Sequence, residues 1–195
     1  MADVYKFKVA IKEVPDKIWR DIEISSLSSV AKLGYTILAS FEAAASHLFN
    51  IKFNDKRYEI VIEDDFEFEP VIDPIKTKLS ALKLSIGDVL EMEYDYGASW
   101  KFTIKLVAIT EMKKGSGNHY PYVTAGQGRG IIEDRPPFEL AEIIEKTDKT
   151  GILPQVCDNF LDEEIEWDYR KFDLEYCNVF LKGEIEQIQY AYEEY

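Results

Sequence analysis

A chain of 195 residues with 46% hydrophobic and 13% aromatic residues can bury one sizeable core, and this composition excludes intrinsic disorder. Its 37 acidic residues against 23 basic ones give a formal net charge of −14, which argues against general nucleic-acid binding, because phosphate neutralisation needs clustered Lys and Arg. Cys157 and Cys177 form no CxxC pattern, the N-terminal residues carry no apolar signal core, and no apolar run reaches the roughly 18 residues of a membrane span; the expectation is a cytoplasmic protein with no disulfide scaffold, no structural zinc and no membrane partner.

Residues 4–12 alternate, with Tyr5, Phe7, Val9 and Ile11 on an apolar face, which predicts a half-buried strand. Val14-Pro15-Asp16-Lys17 supplies turn chemistry, and residues 18–24 read as the return strand. There Ile18, Arg20, Ile22 and Ile24 share a face and Trp19 points to the other. Arg20 is therefore either inward and paired, or relocated by a bulge. Ser28 or Ser29 is the predicted N-cap of an amphipathic helix over 30–45, in which Gly34 would permit close approach of a strand. Residues 47–53 and 58–62 form a predicted hairpin about the turn 54–57. The acidic run 63–69 lacks the spacing and glycine of an EF-hand and reads as a surface loop.

A short helix is expected over 76–84, then strands at 89–96 and 100–110 joined through Gly97, taken as a position with positive φ. Gly126, Gly128 and Gly130 lie in a long loop over 121–137; no strand-to-helix unit surrounds them, so a nucleotide loop is discounted. Helices are predicted over 138–146, 158–169 and 173–195. The sum is one α+β domain spanning 1–195, with a curved, mainly antiparallel sheet of six strands. The helix over 30–45 covers one face, and a helical C-terminal part begins at 138.

Five short features occur in a fixed order: Trp19-Arg20, His47-Leu48-Phe49, Tyr94-Asp95-Tyr96-Gly97 with Trp100, Gly126 leading to Glu133-Asp134, and Phe172-Asp173 with Asn178 and Leu181. This series resembles the plasmid pRiA4b ORF-three-like family, whose relatives include TnpR passenger proteins of insertion elements. The resemblance implies an α+β domain over residues 4–182 and a link to mobile genetic elements, without a settled reaction. The chain departs from its relatives at Ala98, where they carry an acid, and at Phe49 and Phe102, where they carry histidines. It also has Gly130-Ile131-Ile132 in place of Cys-Pro-Pro and Pro136-Pro137 in place of paired glycines.

The candidate site residues are Arg20, His47, Tyr94, Asp95, Tyr96, Trp100, Tyr122, Glu133 and Asp134. The reading ranked first is a binding or interaction module in which Tyr94, Tyr96, Trp100 and Tyr122 floor a site for a protein segment or small ligand. The second is a metal-dependent or hydrolytic enzyme using His47, Asp95, Glu133 and Asp134, for which the missing histidines imply a weakened centre. The third is an accessory nucleic-acid protein in transposition, opposed by the acidic charge. No cofactor and no metal is expected. The alternative without chemistry has Asp95 and Asp134 pairing Arg20 and capping loop amides.

Overall fold

The computed structural model describes residues 2–60, 70–157 and 163–194. The expected acidic loop at 63–69, the end of the predicted strand 58–62 and the start of the predicted helix 158–169 lie outside the described residues. The first two strands are β1 (Asp3–Ile11) and β2 (Trp19–Ser25), followed by helix α1 (Val30–Ser40). Then come β3 (Phe49–Phe53), β4 (Lys56–Glu59), β5 (Val71–Ile72), β6 (Val89–Tyr94), β7 (Trp100–Glu111) and β8 (Tyr122–Gln127). Helix α2 (Pro137–Thr150), a small ribbon of β9 (Gln155–Cys157) and β10 (Glu164–Glu166), and helix α3 (Leu174–Glu193) complete the described chain.

Eight strands form one sheet in the order β5-β4-β3-β6-β7-β1-β2-β8, two more than the sequence predicts. Every pairing is antiparallel except β4 with β5. The period-two pattern of β1 puts Tyr5, Phe7, Val9 and Ile11 in the core, as Ile18, Ile22 and Ile24 are from the β2 side. Residues 122–127, expected to be irregular, pair with β2 instead, and the register slips between Asp21 and Ile22. Strand β8 is held on its other side by α3. The Asn178 amide accepts from the Val123 N–H at 2.9 Å and donates to its carbonyl at 2.8 Å, standing in for a further strand.

Helix α1 starts where the serines direct, with Ser29 Oγ accepting from Lys32 N at 3.0 Å. It stops at Ser40, five residues before the predicted end, because Glu42 and Ala45 adopt left-handed backbone at φ 57° and 56°. The ring of Phe49 from β3 lies on Gly34, so a Cβ there would sit 2.3 Å from Cε2. Tyr192 of α3 stacks on Tyr35 of α1 at 5.6 Å, fixing α3 across α1. The predicted helix at 76–84 is a single tight turn at Leu79–Leu82, and described residues 163–169 are ribbon and turn rather than helix.

Candidate functional site

The turn from β6 to β7 is shaped by Asp95. Its Oδ1 accepts from Gly97 N at 3.0 Å and Ala98 N at 3.2 Å, an Asx arrangement that substitutes a side chain for backbone partners. The left-handed positions are Asp95 at φ 53° and Ser99 at φ 64°, not Gly97 as the sequence suggests. Asp95 is 7% exposed, and its N–H donates to Leu48 O at 3.0 Å, which ties this turn to the chain entering β3.

That tie brings His47 alongside. Its Nε2 lies 3.7 Å from Asp95 Oδ2 and 3.2 Å from Asp134 Oδ1. Asp134 comes from the segment between β8 and α2 and is also left-handed, at φ 57°. The neighbouring Glu133 turns the other way: one oxygen accepts from Ala44 N at 3.0 Å and the other from the Tyr94 hydroxyl. Tyr94 is fully buried, its ring edge-on to His47 at 5.9 Å. Burial first, and then the Glu133 carboxylate, push its hydroxyl well above the ordinary tyrosine range, so it stays protonated and donates to Glu133. The Tyr192 hydroxyl donates to the His47 carbonyl, so α3 also fixes this loop. Exposure rises across the cluster, from 10% of the Asp95 side chain to 36% for His47 and 81% for Asp134.

Five of the nine predicted residues, His47, Tyr94, Asp95, Glu133 and Asp134, thus converge. The four aromatics do not form one floor. Trp100 and Tyr94 are core residues. Tyr96 is 41% exposed and donates to Glu59, and burial and that carboxylate push its hydroxyl up to about 12. Tyr122 stacks on His119 at the far end of β8 from Gln127, roughly 16 Å along the strand by its rise per residue.

Arg20 is inward and pairs with carbonyls rather than with Asp95 or Asp134. Its Nε donates to Ser40 O, Nη1 to Trp19 O and Gln127 O, each at 2.9 Å, and Nη2 to Arg129 O. The guanidinium lies 3.8 Å from the Phe172 ring and 4.8 Å from Phe41. Burial lowers its pKa to about 10.

Phe172, which stacks on Arg20, also lines a groove of about 1270 Å³ between residues 39–45 and α3. Leu181, Ile188 and Phe180 line its apolar length, and Arg129, Lys171 and Glu42 its polar part. Arg129 Nε pairs with Glu42 at 2.9 Å. The strip 42–45 walls the groove on one side and runs directly into His47. Sequence reasoning singles out neither this groove nor Tyr192, whose signal is only a helical stripe; the left-handed turn at 42–45 that makes the wall contains no glycine or proline.

The sequence profile of the plasmid pRiA4b ORF-3-like proteins matches residues 3–180. The chain belongs to this family. Among curated proteins no relative matches this family member. Among solved structures it is similar to the crystal structure of MM3350, a protein of unknown function from Methanosarcina mazei Go1. The identity is 24%, the TM-score 0.71, and the match covers 90% of this chain and 96% of that one. At that identity the likeness speaks for the fold of the family alone.

Proposed function

We propose that the chain is a binding module whose ligand, a small molecule or a short segment of another protein, lies in the groove between residues 39–45 and α3. The observation that carries this reading is the groove itself. Its volume of about 1270 Å³ exceeds the few hundred Å³ needed for a drug-sized ligand. Its walls are anchored on both sides: α3 by the Tyr35–Tyr192 stack and Asn178, the loop by Glu133 on Ala44 N. Apolar side chains give such a site its affinity, and the charged groups near Phe172 orient what binds.

The test is a thermal-shift screen of small polar and amphipathic compounds on the full chain and on Gln187→Trp, which places an indole in the groove from an exposed helix position. Compounds that raise Tm are expected to lose that effect in the variant. A screen without stabilising compounds, or with stabilisation that Gln187→Trp leaves intact, overturns the proposal.

A further inference from the structure

We infer that His47 Nε2, Asp95 Oδ2 and Asp134 Oδ1 form a binding site for a first-row divalent transition cation, a site separate from the groove and independent of what the groove binds. The three donor atoms lie within 4.8 Å of one another and come from three chain segments: the approach to β3, the turn after β6 and the segment before α2. A metal bonded at 2.0–2.2 Å to neighbouring ligands at angles near 90–109° needs donors roughly 3.0–3.5 Å apart. The separations from His47 Nε2 are 3.2 Å and 3.7 Å and the two carboxylate oxygens lie within 4.8 Å of each other, so closing the set requires the exposed Asp134 side chain to rotate toward Asp95.

A second observation concerns Asp95. Its side chain is nine-tenths buried and one oxygen is saturated by Gly97 N and Ala98 N. Among the described residues Oδ2 makes no hydrogen bond; it is ion-paired with His47 Nε2 at 3.7 Å, beyond hydrogen-bond reach. A carboxylate whose side chain is nine-tenths buried and whose second oxygen has only an imidazole at 3.7 Å beside it is weakly compensated for its desolvation, and a cation supplies a closer partner.

The donor set selects the ion. One imidazole and two carboxylates suit Mn²⁺, Fe²⁺, Co²⁺ or Zn²⁺, whereas Ca²⁺ takes six to eight oxygens. Three protein ligands leave coordination positions open, and the exposed Asp134 side is where water or a ligand would reach the ion. Glu133 is a positioning residue: both its oxygens already accept hydrogen bonds, from Tyr94 and Ala44 N, and these hold the 42–45 strip against the 133–134 segment.

The experiment is calorimetry of ZnCl2 and MnCl2 into the chelator-treated full chain at 0.15 M salt, with His47→Gln, Asp95→Asn and Asp134→Asn as variants and circular dichroism as the folding control. One ion per chain is expected, with affinity falling at least tenfold in each variant. Since Asp95→Asn could disturb its turn, CoCl2 absorption on the unaltered chain gives an independent readout: visible bands distinct from aqueous Co²⁺ and displaced by Zn²⁺. Absence of binding, or several weak ions retained in all three variants, as a chain of net charge −14 would condense nonspecifically, overturns the inference.

Discussion

Replacing Arg20 tests the physical account of the buried guanidinium that holds the Ser40 and Arg129 carbonyls and Phe172, three residues of the groove lining. Arg20→Met leaves the buried Ser40 carbonyl without a donor, which costs about 2 kcal/mol, and strips three half-buried carbonyls at about 1 kcal/mol each. Lost stacking on Phe172 and Phe41 adds roughly 1–2 kcal/mol. Against this, the fall of the arginine pKa from 12.5 to about 10 means that burial disfavours the charged form by roughly 3 kcal/mol, which methionine relieves. The net expectation is a loss of about 3 kcal/mol. Arg20→Lys keeps the buried charge but has no flat fork to reach four carbonyls or stack between two rings, so it is expected to be at least as destabilising as methionine. Urea denaturation followed by tryptophan fluorescence reads both. A lysine variant within about 1 kcal/mol of the unaltered chain, below the usual cost of an unsatisfied buried group, refutes the reasoning.

Gly34→Ala drives a methyl to within 2.3 Å of the Phe49 ring, which is itself packed against Tyr35 and Tyr192, and overpacking of this kind costs about 1–3 kcal/mol in the same urea assay. In acid, hydrogen bonds from Lys17, at 2.8 Å, and from Tyr169 hold the Asp148 carboxyl below its ordinary 3.8. A carboxylate lowered on folding contributes stability that is complete above its unfolded value and is lost as pH falls through its folded one. Asp148→Asn is therefore expected to lose stability less steeply than the unaltered chain below pH 3.8, and parallel acid-unfolding curves would contradict that assignment.

The α+β class and most of the sheet are legible in the sequence because strands such as Tyr5-Lys6-Phe7-Lys8-Val9 alternate against a single core. Strand β8 is not, since Thr124-Ala125-Gly126-Gln127 has little apolar character and becomes a strand through pairing with β2 and clamping by Asn178. The end of α1 escapes for a related reason. Residues 41–45 are good helix formers, but the Arg20 bond to the Ser40 carbonyl and Ile131 N on the Phe41 carbonyl, at 3.0 Å, take up the acceptors that a further turn would use. Within the candidate site, residue types that ionise or coordinate are visible in the sequence, and so His47, Asp95, Glu133 and Asp134 stand out. What the sequence conceals is direction: Tyr94 and Trp100 look like a recognition surface until burial shows them to be core.

Strand β1 precedes every other strand of its sheet in the chain yet lies between β2 and β7. The partner for one of its edges begins at Trp100, so at translation rates of about 5–20 residues per second the edge stays open for roughly 5–18 seconds after Ile11 is made. An open, alternating apolar strand invites pairing with another nascent chain. Lys6, Lys8 and Lys12, which in the finished fold pair with Asp21, lie over Trp19 and pair with Glu91, put positive charge along and just past that strand, the placement by which charged side chains discourage edge-to-edge pairing of neighbouring copies.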